Sequence, residues 1–349
     1  MNVKRLLSQL SPGRRQLLRA LSLAFLAALI GGFISIYLNR AILFTQREAS
    51  SPQAEILVDG TTAPKIEAAP ANVPLAEVFS APSAPAEMRL EADAALQEIS
   101  PAGVLPKIAP DGRQAWQVYA APFDKTSARP RIALIITGLG LSAAITDQAI
   151  ATLPKNITLA FSPYAKNVQN FIDRARQAGH EAVLNLPLEP QNYPLNDPGP
   201  DTLLVKNTPA ENAARLHRVL AKGKMYVGVL PAGGERFLTE RSALDPLLQE
   251  LRARGLLFID SSRLDSLAIS ASKEIGLHSG KADLVVDLDA SKSAIDSQLQ
   301  ELEKHAASTG TAIGIGFPYP STLERVAAWA SRLEAKGLAL VPITAAVDR

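Results

Sequence analysis

The sequence predicts an α/β fold, a closed or nearly closed (β/α) barrel over residues 112–349, preceded by one membrane-spanning helix and a disordered linker. Three observations predict it. From Arg129 onward short apolar runs alternate with longer amphipathic ones; helix start and stop residues fall between them; and an uncharged stretch of spanning length lies near the N-terminus.

That stretch, residues 20–38, reads ALSLAFLAALIGGFISIYL and is long enough to cross a hydrocarbon core of roughly 30 Å as a helix. Residues 1–19 carry Lys4, Arg5, Arg14, Arg15 and Arg19 and no acid, which predicts a cytoplasmic N-terminus and places everything after Leu38 outside. In a bacterial cell the expectation is a single-pass inner-membrane protein with its C-terminal domain in the periplasm. A cleaved signal peptide is the alternative, but the run ends Ile36-Tyr37-Leu38-Asn39-Arg40 instead of in a small-residue cleavage site. Residues 39–111 follow with prolines among alanines and acids, a composition that predicts a linker. Lysine plus arginine (36) nearly balance aspartate plus glutamate (34), so no basic footprint for nucleic acid exists. The chain has no cysteine, which removes disulfides, thiolate zinc sites and a thiol nucleophile.

Strands are expected at residues 132–136, 157–161, 181–186, 226–230, 256–260, 284–288, 312–316 and 338–343, each a run that a parallel sheet buries on both faces. Thr208-Pro209-Ala210-Glu211 predicts a helix start by capping box, and Ser321 to Glu324 predicts another. Gly179, Gly255, Gly310 and Gly337 stand where helices should stop. An open doubly wound sheet is the structural competitor, because Gly138-Leu139-Gly140-Leu141-Ser142-Ala143 matches the dinucleotide-binding pattern. The acid that should close the next strand is missing; that strand ends Ala160-Phe161-Ser162. A tight strand-to-helix turn accounts for the glycines.

Several phrases in fixed order carry a resemblance: IALIITGLG from Ile132, LP-x-x-IT-x-AF-x-PYA-x-N from Leu153, AGHE from Ala178 and NLPLEP from Asn185. YP-x-x-DPGP from Tyr193, VGV from Val227, FIDS from Phe258 and GIGFPYP-x-TL from Gly314 complete it. Over residues 131–344 the chain resembles the divergent polysaccharide deacetylases. The resemblance implies a distorted deacetylase-like barrel. In active members it also implies a divalent metal such as zinc, held by one aspartate and two histidines, that drives N-acetyl hydrolysis.

Carried over residue by residue, the metal positions are degenerate. The paired aspartates are Thr137 and Gly138 here, the first histidine is Asn185, the Asn-Asn-His-Met-Gly phrase is Leu230 to Gly234 with Ala232 at its centre, and Gly-His-Pro holds Phe317. Threonine, glycine, asparagine, alanine and phenylalanine make a poor donor set for such a cation, so the chain is expected to hold no cofactor. His180, His217, His278 and His305 recur at no ligand spacing. Glu189, Glu235 and Asp260 are the carboxylates from which an acid–base pair would be drawn if catalysis survived.

Asn185, Tyr164, Tyr193 and Tyr319 are candidates for glycan contact, since sugar rings stack on aromatic faces; rim packing would use the same rings. The expected function is a non-catalytic envelope protein whose barrel binds cell-wall polysaccharide or an envelope protein. A rearranged carbohydrate deacetylase is the enzyme alternative, and a purely structural role is the third.

Overall fold

The computed structural model describes residues 87–124, 126–262 and 266–347. The predicted basic N-terminus, the 20–38 span and the linker as far as residue 86 lie outside the described residues. Among those described, no helix is long and apolar enough to cross a membrane.

Residues 87–111 depart from the expected linker. Here β1 (Gln97–Ser100) and β2 (Gly103–Pro106) form an antiparallel hairpin, followed by the short helix α1 (Ala115–Val118). Leu96 and Leu105 are buried, as are Trp116 and Tyr119. The prolines that suggested a linker sit where the chain tolerates them: Pro101 in the hairpin turn and Pro106 at the strand end. Arg176 fastens the segment. Its guanidinium is buried and donates to the carbonyls of Tyr119 (2.8 Å) and Arg89 (2.6 and 3.2 Å), stacking over the Tyr119 ring.

The main body then alternates as the sequence predicts. Its elements are β3 (Arg131–Leu139), α2 (Ala143–Thr152), β4 (Thr158–Phe161), α3 (Val168–Gln177), β5 (Ala182–Leu188), α4 (Pro209–Leu220), β6 (Gly228–Gly233), α5 (Arg241–Ala253) and β7 (Leu257–Asp260). After them come α6 (Ala268–Ile275), β8 (Ser279–Lys281), β9 (Leu284–Val285), α7 (Lys292–Thr309), β10 (Thr311–Gly316), α8 (Pro320–Ala330), β11 (Ala339–Val341) and α9 (Ile343–Val347). β3, β4, β5 and β7 are almost wholly buried, because helices cover one face of the parallel sheet and interior side chains fill the other.

The strands do not close into the expected barrel. They run β8-β7-β6-β5-β4-β3-β10-β9 in parallel, with β11 pairing the first residues of β3. This is an α/β half-barrel of nine strands, one more than predicted, since the polar run Ser279–Lys281 gives no apolar signal. Where closure would require β8 to pair with β9, one stretch of chain serves both sides. Residues 279–281 pair with β7 and residues 284–285 with β10. The predicted strand 284–288 accordingly shortens to two residues.

Thr208 and Glu211 form the predicted capping box. The second box does not form. α8 starts at Pro320, whose missing N–H suits a first helical position, and Ser321 donates instead to the Ala290 carbonyl at 2.8 Å while Glu324 pairs with Lys292. In the GLGLSA turn, Gly140 has φ +96°, and a Cβ there would lie 2.5 Å from that of Ala165. The glycine therefore permits the approach of two loops, and Ser142 caps α2.

Candidate functional site at the mouth of the half-barrel

The C-terminal ends of the strands surround a cavity of about 350 Å³. Thr137 and Gly138 of β3, Asn185 of β5, Ala232 of β6 and Phe317 after β10 all line it, so the five positions at which the resemblance implies a degenerate metal site meet at one place. Ser261 of the FIDS phrase lines it too, with Ser262, Val285, Leu288 and Ile315, none of them among the site residues expected from the sequence. Their one available signal was position at or just beyond a strand end.

Asn185 is buried and organises the cavity floor. Its Nδ2 donates to Thr137 Oγ1 at 2.8 Å and to the Leu230 carbonyl at 3.5 Å, and its Oδ1 accepts the Gly138 N–H at 3.2 Å. Thr137 Oγ1 and Asn185 Oδ1 are thus each engaged in a neutral hydrogen bond within the floor. Ala232 and Phe317 add no donor atom. Among the described residues no three histidine, cysteine or acidic side chains gather into a metal-holding group. This donor set does not fit the divalent cation of the active deacetylases.

The three carboxylates part company. Glu189 is buried, its Oε2 accepting the Val205 N–H at 2.6 Å and its Oε1 2.9 Å from Arg236, which makes it a brace for the loop after β5. Asp260 is fully buried at the end of β7, where Oδ1 accepts the Ser262 N–H at 2.8 Å and Oδ2 has no hydrogen-bond partner. Only Glu235 of the three lines the cavity; its Oε2 is buried and unpartnered. The tyrosines separate likewise. The Tyr164 hydroxyl accepts the Asp201 N–H at 3.0 Å and its ring packs on Gly199, while Tyr193 precedes a cis proline in the loop after β5. Neither lines the cavity, whereas Tyr319 adjoins it through Phe317, 6.1 Å between ring centroids.

The histidines serve the frame. His180 is buried with Nδ1 2.8 Å from the Ile157 carbonyl, and burial lowers its pKa; His217 pairs with Glu250, His305 with Asp283, and His278 packs on Trp116. Asp287 accepts from Phe317 N–H and from Thr322 Oγ1 through one oxygen, which holds the chain beside Phe317 in place, and burial raises its pKa.

At the opposite end of β5 lies a group that sequence reading missed. Glu181 is fully buried, accepting from the Ala121 N–H at 2.8 Å, the Thr344 N–H at 3.1 Å and the Thr344 hydroxyl. Burial outweighs these bonds and the nearby Arg176, pushing its pKa up to about 7. It ties the segment before β3 to the start of α9, far from the mouth in the order of the sheet. The signal was an acid opening an apolar strand.

A parallel α/β half-barrel with a cavity at the carboxyl ends of its strands defines the class, and comparison with known proteins gives the family. The model described as divergent polysaccharide deacetylase matches residues 134–347, and the chain belongs to that family. The crystal structure of uncharacterized protein ATU2773 from Agrobacterium tumefaciens C58 is 36% identical, superposes with a TM-score of 0.68, and the match covers 70% of this chain and 99% of that one. The uncharacterized protein YibQ of Escherichia coli K12 is 23% identical over 195 residues, 55% of this chain and 60% of YibQ, so the match spans less than two thirds of that relative. An uncharacterized protein of Haemophilus influenzae is also 23% identical, over 56% of this chain and 69% of its own.

Proposed function

We propose that this deacetylase-like domain is a non-catalytic glycan-binding module, anchored to the bacterial inner membrane through residues 20–38 and facing the periplasm. One observation carries the reading. The positions at which the resemblance expects metal ligands converge on a cavity, yet the side chains present there are neutral, with Thr137, Asn185 and Gly138 bonded to one another. The cavity has the size and mixed lining of a small-ligand site, and Phe317 with Tyr319 offers aromatic faces at its rim.

Co-sedimentation of the full chain with purified peptidoglycan tests it. Binding is expected, reduced severalfold by Phe317→Ala and by Tyr319→Ala; undiminished binding in both variants would move the contact away from the mouth. The anchor has its own test. The chain is expected to stay with membranes through an alkaline carbonate wash and to be released when residues 20–38 are deleted; release of the intact chain would count against it.

A second reading, an envelope protein as occupant, is favoured by the exposed Leu141, Leu195, Leu288, Phe317 and Tyr319. All lie in loops that follow strand ends on the mouth side. Under that reading a protein partner covers the rim, and the peptidoglycan experiment gives no binding.

A further inference from the structure

One wall of the mouth cavity is apolar. Val285, Leu288, Ile315 and Phe317, from β9, β10 and the turns beyond them, are apolar. Thr137 of β3, Asn185 of β5, Glu235 in the loop after β6 and Ser261 just beyond β7 bring polar atoms to the cavity, beside the apolar Leu230, Pro231 and Ala232 of β6. Among the described residues Glu235 is the one ionisable side chain lining the cavity, and no lysine, arginine or histidine joins it. Arg236, next in the chain, is turned to Glu189.

Several of the hydrogen-bond donors of the cavity are already engaged. The Asn185 amide donates to Thr137, the Gly138 N–H to Asn185, and the Ser261 hydroxyl to the Pro231 carbonyl at 3.2 Å. These donors are already spent within the protein. Glu235 Oε2 is buried with no donor to meet it, and a carboxylate oxygen withdrawn from water without a hydrogen bond is costly until a ligand supplies one.

On the basis of the glycan reading above, we propose that the cavity selects an amino sugar bearing a free ammonium group over its N-acetylated form. An acetamide is neutral and offers Glu235 only a neutral N–H. An ammonium is a cationic donor and meets Glu235 Oε2 in a charge-assisted bond, while the apolar face of the ring lies against Leu288 and Phe317. The site would then read the outcome of deacetylation, in keeping with the replacement of the groups that perform it.

Calorimetric titration of the full chain with a fully deacetylated glucosamine tetramer and with the fully N-acetylated tetramer decides the matter, at a pH where the amine is protonated. The deacetylated oligomer is expected to bind about tenfold more tightly, a preference of about 1.4 kcal/mol. Glu235→Gln should bring the two affinities together by weakening the deacetylated ligand alone. In the unsubstituted chain, added salt should narrow the same gap, which keeps the test valid if the variant folds poorly. Equal affinities, or a preference for the acetylated oligomer, would overturn the selectivity and leave the glycan reading standing. A preference unchanged by Glu235→Gln and by salt would remove Glu235 from it, and no binding of either oligomer would overturn the glycan reading together with this inference.

Discussion

Asn185 stands where the resemblance implies a histidine; its side chain both donates and accepts, and both capacities are used. Asn185→Ala leaves Thr137 Oγ1 and the Gly138 N–H without their partner; a loss of roughly 1–3 kcal/mol is expected in denaturant titration, the cost of unsatisfied buried groups. A smaller change than a few tenths of that would mean water reaches the floor freely. The substitutions at Thr137, Asn185, Ala232 and Phe317 were legible in the sequence, but what Asn185 does was not. Thr137 and Asn185 lie 48 residues apart on β3 and β5, with β4 between, and only the inward curl of the sheet brings alternate strands into contact. Glu189 illustrates the converse: its place near the mouth was readable, whereas its commitment to Val205 and Arg236 depends on how a loop folds back.

Among the elements, the helices and long strands were the most readable, because periodicity and capping act over neighbouring residues. The N-terminal hairpin was hidden because its hold is remote. It packs through Leu96 and Leu105, and the segment is fastened by Arg176, which sits some seventy to eighty residues later in the chain than the hairpin. Arg176→Leu keeps apolar bulk but strips the Arg89 and Tyr119 carbonyls of their donor. A destabilisation on the order of 3 kcal/mol is expected, with early loss of amide-exchange protection in residues 97–106; protection equal to that of the parent chain would contradict the fastening role. Leu105→Ala should cost about 2–5 kcal/mol, as for other buried leucines, where a residue in a solvated linker would cost nothing. β8 escaped reading for a different reason: three residues of Ser-Gly-Lys become a strand only because β7 offers them an edge.

For the molecule as a whole, the expected barrel became a half-barrel because the connection from β8 to β9 is two residues long, too short for the crossover that a further pair of parallel strands requires. The frame is instead closed at its far end by Glu181, which joins Ala121 to Thr344. With its pKa raised from 4.5 to about 7, the folded state binds more protons than the unfolded one between those values, so this group's contribution to stability falls as pH rises through that window. The stability difference between Glu181→Gln and the parent chain should therefore move in favour of the variant from pH 4.5 to 7 and then level off. His180 titrates in both proteins and cancels from the comparison; a difference flat across this range would show that Glu181 is ionised throughout.

The central claim is that neutral hydrogen bonds have taken the place of a metal at the mouth of this half-barrel. Elemental analysis of the full chain, purified without chelator, loaded with excess zinc and exhaustively dialysed, tests it most directly. The account predicts substoichiometric zinc, with the same residue in a Thr137→Val, Asn185→Leu double variant. One equivalent of zinc that survives dialysis in the parent chain and is lost in the double variant would contradict it.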